Sequence, residues 1–137
     1  VLPADDFEPA TWPVIGKRSD RLELPIQLAF RKLMKQVAPR CRVVAVPNGT
    51  FIASRAGRRK ADQEGRSAGF PDTIILWTGG FAAIEWKAGN ATSCDVSNNQ
   101  SEWLTWLEAA GHPCAVFREE HQAAEWLKSL GAPVTLA

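Results

Sequence analysis

At 137 residues the chain has the size of one domain and is long enough to bury a core. Hydrophobic residues make up 45% and charged residues 23%, which excludes a disordered chain, and no apolar run reaches the length of a membrane span. A net charge of +1 singles out no class of partner, so local charge has to carry that question.

Residues 1–19 contain Pro3, Pro9 and Pro13 and show little periodicity. They read as an irregular N-terminal arm, packed through Phe7 and Trp12, ahead of a single domain at 20–137. The acidic start, with Asp5 and Asp6, is unlike a secretory signal. The first helix follows. Ile26, Ala29, Phe30, Leu33, Met34 and Val37 form one apolar stripe at helical spacing. A start near Leu24 puts Pro25 at the first helical position, where its missing N–H is harmless, and Pro39 marks the end. Residues 41–46 form a β-branched strand closed by Pro47-Asn48-Gly49.

Next comes a basic segment. Arg55, Arg58, Arg59, Lys60 and Arg66 fall within twelve residues, against Asp62 and Glu64. Such a run suits either a solvated loop or a phosphate-binding surface. It leads into Gly69-Phe70-Pro71-Asp72. Residues 73–77 and 81–84 are two strands, and Gly79-Gly80 between them suits a two-residue hairpin turn. That turn places Asp72 opposite Lys87, with Glu85 on the same face. One hairpin thus gathers two carboxylates and an ammonium. Two hard oxygen ligands and a cation are the minimum for holding a divalent metal and activating water against a phosphodiester. The same residues could equally form a Lys87–Asp72 ion pair on a solvated face.

A polar loop spans 88–96. Ser97 then begins a capping box with Gln100 at its third helical position. The second helix carries Trp103, Leu104, Trp106, Leu107 and Ala110 and stops at Gly111. Residues 113–117 form a fourth strand. A last helix runs over 122–130, with Ala123, Trp126, Leu127 and Leu130 as its apolar face. Trp103, Trp106 and Trp126 fall on helical stripes and read as core rather than as base-stacking platforms. His112 and His121 lack partners at metal or triad spacing and read as surface or satisfied residues. Three cysteines without a C-x-x-C pair exclude a disulfide framework or zinc knuckle. A reducing, intracellular compartment is expected: the cytoplasm, the nucleoid, or the nucleus in a eukaryote. The element order α-β-β-β-α-β-α predicts an α/β fold, with a mixed four-stranded sheet flanked by helices.

Pro-Asp followed by Glu-x-Lys on adjacent strands of an αβββαβ core resembles the PD-(D/E)xK nuclease superfamily. Within it the chain is similar to the VRR-NUC, or virus-type replication-repair nuclease, domain. The closer likeness rests on Glu23 and Gln27 in the first helix, Pro47-Asn48-Gly49, and the basic stretch leading to Gly69-x-Pro71-Asp72. Glu85-x-Lys87 and Ser97-x-x-Gln100 complete it. These motifs span residues 23 to 130. Trp86 stands where a small aliphatic residue is usual, and the 87–100 loop is longer than usual.

The resemblance implies a restriction-endonuclease-like core and a Mg²⁺- or Mn²⁺-dependent DNA endonuclease. Asp72, Glu85 and the Trp86 carbonyl would hold the metal. Lys87 would polarise the attacking water, with Glu23 and Gln100 completing the catalytic set. Asn48, Arg55, Arg58, Arg59, Lys60 and Arg66 would contact nucleic acid. The likeness also implies a homodimer that cuts branched DNA, such as a junction, in replication, repair or recombination. The competing expectations are a catalytically silent nucleic-acid-binding module on the same fold, and an α/β protein with an unrelated small ligand.

Overall fold

The computed structural model describes residues 11–47 and 68–137. In chain order these form β1 (Val14–Ile15), α1 (Glu23–Val37), β2 (Arg42–Ala45), β3 (Thr73–Trp77) and β4 (Gly80–Trp86). A 3₁₀ turn (Ser93–Asp95), α2 (Asn98–Ala109), β5 (Cys114–Phe117) and α3 (Glu120–Ser129) follow. The fold is α/β: the described residues form three helices and one mixed open sheet in the order β1-β5-β4-β3-β2. β2, β3 and β4 form the expected antiparallel meander, and β5 lies parallel to β4 across the α2 crossover.

The sheet has five strands rather than four. Val14 and Ile15, inside the supposed irregular arm, pair in parallel with Val116 and Phe117. Two residues flanked by Pro13 and Gly16 are too few for a periodic signal. Arg118 makes the strand possible by donating from Nε to the Gly16 carbonyl at 2.7 Å and from Nη1 to the Ala91 carbonyl at 2.7 Å. Trp12 packs against the core beside this strand and donates from Nε1 to the Thr105 hydroxyl. Phe7 lies outside the described residues.

The two sheet faces have separate cores. Ile26, Phe30 and Met34 of α1 and Ala123, Ala124 and Leu127 of α3 pack on Ile75, Ala82, Ile84, Trp86, Ala115 and Phe117. Leu104 and Leu107 of α2 pack on Ala83, Cys114, Val116 and Val14. Trp86 is the largest side chain of the first core. Its ring lies 4.9 Å from Phe30 and 6.4 Å from Phe117, and its Nε1 donates to the Thr73 hydroxyl. Full burial of such a side chain stabilises by roughly 2–3 kcal/mol. Trp103 and Trp126 are partly buried against the cores as expected, whereas Trp106 is exposed and rests its ring on Trp103 and His112. Trp106 sits at the edge of the α2 stripe, where periodicity cannot separate core from rim. The three cysteines are free thiols. No described helix is long and apolar enough to cross a membrane.

Helix boundaries differ by a residue or two from expectation. α1 begins at Glu23, so Pro25 is its third residue. This costs nothing, because the first intrahelical bond is donated by Ile26, to the Leu22 carbonyl. α3 begins earlier than predicted, because Glu119 caps it by accepting from the N–H groups of His121 and Gln122.

The main correction concerns the hairpin. Trp77 pairs with Gly80 and Thr73 with Ile84, so the turn is Thr78-Gly79. Gly79 has φ +90°, whereas Gly80 lies in the strand. Gly80 is required for space: a Cβ there would collide with the Trp77 indole. The register moves by an even step, so no side chain changes face, but Asp72 comes opposite Glu85 rather than Lys87. Substitutions separate the two registers. Gly79→Asn should cost only a few tenths of a kcal/mol, because Asn tolerates the left-handed region, whereas Gly80→Asn should cost about 2 kcal/mol through the steric clash. Equal, small losses in urea denaturation would restore the Gly79-Gly80 turn.

Candidate functional site

The hairpin brings Asp72 and Glu85 face to face at one end of the sheet, on the side covered by α2. Both are buried, with 6% and 2% of their surface exposed. Each carboxylate is held by one nitrogen. The Trp86 backbone N–H donates to Asp72 Oδ2 at 3.0 Å. Gln100 Nε2 donates to Glu85 Oε1 at 2.7 Å. Glu85 Oε2 is buried and has no hydrogen-bond partner.

The loop before Asp72 is fitted to α2. Gly69 has φ +85°, and a Cβ there would run into the backbone of Asn99 in the first turn of α2. Phe70 meets Trp103 edge-on at 5.0 Å, and Pro71 is fully buried. The Gly-Phe-Pro-Asp stretch therefore seats the N-terminus of α2 over the carboxylate pair.

Gln100 takes part in two arrangements at once. Its Oε1 accepts from the Ser97 N–H at 2.9 Å, and its own N–H donates to the Ser97 hydroxyl, which is the predicted capping box. The same amide still donates to Glu85, although capping and reaching the site look mutually exclusive from sequence. They are compatible because capping uses the amide oxygen and the site uses the nitrogen.

Glu23 also joins the group. Ser19 N–H donates to the Gly89 carbonyl, and Gly89 N–H donates to the Arg21 carbonyl. A Cβ at Gly89 would strike Ser19. This close crossing sets the start of α1 beside the exit of β4. Arg21 is fixed in turn by a bidentate pair with Glu120, at 2.6 and 2.7 Å. Glu23 accepts from Gln27 Nε2 at 3.3 Å and lies within the field of Asp72 and Lys87.

The electrostatics follow from burial. Burial raises the Asp72 carboxyl, against the opposing pull of the Trp86 N–H, of a proton shared with Glu85 and of the Lys87 charge. Burial, the Asp72 charge and the proton that Glu85 can share with Asp72 push Glu85 up to about 10. Glu23 is raised by burial first and by Asp72 second, with Lys87 opposing. Among the described residues, three acids therefore share one end of the sheet with the ammonium of Lys87. Lys87 lies beyond the last strand pair, and its backbone N–H donates to the Phe117 carbonyl. No Lys87–Asp72 ion pair forms among the described residues. Trp86, between Glu85 and Lys87, points into the opposite core.

Asn48, Arg55, Arg58, Arg59, Lys60 and Arg66 lie outside the described residues. His112 rests against Phe81 and Trp106. His121 has a carboxylate neighbour that sequence spacing did not reveal: its Nδ1 is 3.0 Å from Glu119 Oε1. Glu119, Glu120 and His121 form an acidic group, but Glu119 caps α3 and Glu120 is held by Arg21. Sequence reasoning missed the hold of the Trp86 N–H on Asp72, for which no signal exists, and the packing of Gly69 on Asn99, for which a glycine two residues before Pro-Asp was the signal.

The chain matches no family model, no curated protein and no solved structure.

Two close carboxylates, one oxygen unpartnered, make a costly arrangement without a cation. Glu85→Gln should therefore stabilise the metal-free protein by about 1–3 kcal/mol, since an amide there can keep the Gln100 bond and donate to Asp72. A raised carboxyl contributes stability that is full below its unfolded value, near 4.5, and lost as pH rises toward about 10. Denaturation in chelator should accordingly show stability falling with pH across that window, less steeply in Glu85→Gln. A destabilised variant with an unchanged slope would contradict this electrostatic picture.

Proposed function

We propose that the protein is a divalent-metal-dependent endonuclease acting on DNA, selective for branched structures. The observation that carries this reading is the unpartnered, buried Glu85 Oε2 facing Asp72. A pair of hard oxygen donors, each pinned through one atom, fits Mg²⁺ or Mn²⁺. Asp72, Glu85 and the Trp86 carbonyl would hold the ion. When bound, such an ion neutralises phosphate charge and lowers the pKa of water. DNA as the substrate follows from the likeness to VRR-NUC domains and from the basic stretch Arg55–Arg66, which suits a phosphate backbone.

The chain's own residues have separable tasks. The Trp86 N–H and the Gln100 amide keep the two carboxylates in place before substrate arrives. Lys87, on the same strand face as Glu85, offers its ammonium to the attacking water and to charge developing on the phosphate. Glu23, half-buried at the start of α1, orients water from the helix side. A silent binding module has no use for a buried carboxylate pair, because the pair weakens the fold and repels phosphates.

Lys87→Ala should fold normally and lose about 10²–10³ in cleavage rate, because the change removes stabilisation of the transition state rather than packing. The assay compares supercoiled and branched DNA with and without Mg²⁺ or Mn²⁺. Near-wild-type cleavage by this variant would remove Lys87 from the site, and absence of metal-dependent cleavage by the wild type would reject the proposed activity.

One site cuts one strand, so action on a two-fold branched junction calls for a homodimer. Leu24 and Leu28, one turn apart on α1, are 63% and 55% exposed, an apolar patch suited to such an interface. Light scattering at micromolar concentration should give about twice the 15.0 kDa chain mass. A monomer mass together with equal activity on linear and branched DNA would leave a simple nicking enzyme.

A further inference from the structure

Gln100 does more than support Glu85. Its amide orientation is fixed, because the Ser97 N–H can only donate and must face Oε1, which leaves Nε2 facing Glu85. The Glu85 oxygen it reaches is therefore engaged, at 2.7 Å, in a side chain 2% exposed. The other oxygen, Oε2, is the one without a partner. We infer that Gln100 is a positioning residue that sets the ion selectivity of the site, by occupying one lone pair of Glu85 Oε1 and leaving Oε2 the freer oxygen.

The physical basis is the difference between hard cations. Mg²⁺ demands a small octahedral shell, takes carboxylates one oxygen at a time and keeps several waters. Ca²⁺ takes six to eight oxygens at longer range and readily accepts both oxygens of one carboxylate. A glutamate with one oxygen tied down suits the first and handicaps the second. The tie originates in a helix cap, so the first turn of α2 serves stability and selectivity together. This inference rests on the proposal that Asp72 and Glu85 hold a divalent ion.

The test is calorimetric titration of the chelator-stripped full chain with Mg²⁺, Mn²⁺ and Ca²⁺, without DNA. Four proteins are compared: wild type, Gln100→Met, Gln100→Glu and Ser97→Ala. Gln100→Met removes the donor to Glu85. Gln100→Glu keeps both halves of the capping box but adds a carboxylate beside Glu85, so it checks the helix start and not the ion ratio. Ser97→Ala weakens the cap while its backbone N–H still orients Gln100. The ratio of Ca²⁺ to Mg²⁺ affinity should rise about tenfold in Gln100→Met, the equilibrium worth of one hydrogen bond to a charged group, and stay at the wild-type value in Ser97→Ala. Binding by the wild type with an unchanged ratio in folded Gln100→Met would overturn the inference alone. An equal rise in Ser97→Ala would also overturn it, by assigning the effect to the cap. No binding of any of the three ions by the wild type would overturn the metal site itself, and the inference with it.

Discussion

Two carboxylates buried opposite one another across β3 and β4 are the constraint to which the rest of the fold answers. When both are ionised, Asp72 and Glu85 repel each other in a medium that screens poorly. They stay in place because the β3–β4 ladder fixes their backbones and a nitrogen fixes one oxygen of each. The core on the far side of the sheet supplies the rigidity. Trp86 sits between Glu85 and Lys87, and its burial against Phe30 and Phe117 prevents that strand from twisting away. Stability and site geometry therefore meet in one residue, whose side chain builds the core while its N–H holds Asp72.

The elements arriving at the site come from distant parts of the chain and are fixed by close backbone approaches. Gly69 lets the Pro-Asp loop touch the first turn of α2, and Gly89 lets the strand exit touch the segment before α1. The Arg21–Glu120 pair is half-exposed on the arginine side, so its value is mainly geometric: it ties the start of α1 to the start of α3. Arg118 does the same for β1 and the loop after β4.

Much of this was legible in the sequence. The apolar stripes of α1 and α3, the meander and the parallel β5 follow from spacing alone. Asp72, Glu85 and Lys87 share a face, as strand parity demands. The pairing across the hairpin was not legible, because Gly79-Gly80 satisfies a two-residue turn as well as Thr78-Gly79 does. The deciding contact, Trp77 over Gly80, is three residues long and invisible to propensity. The fifth strand was hidden by its brevity. Gln100 was recognised as a candidate, but its two simultaneous roles needed atoms rather than letters. Hydrogen bonds from backbone to side chain, such as Trp86 to Asp72, have no sequence signature at all.

The central claim is that the Asp72–Glu85 pair is a cation site. Nuclear magnetic resonance of the metal-free protein with substoichiometric Mn²⁺ tests it most directly, because a paramagnetic ion broadens the signals nearest to it. The account predicts that the Trp86 and Lys87 backbone amides and the Gln100 side-chain amide disappear first, and that Asp72→Asn prevents this. Broadening confined to Glu119, Glu120 and His121, or none at equimolar Mn²⁺, would contradict it.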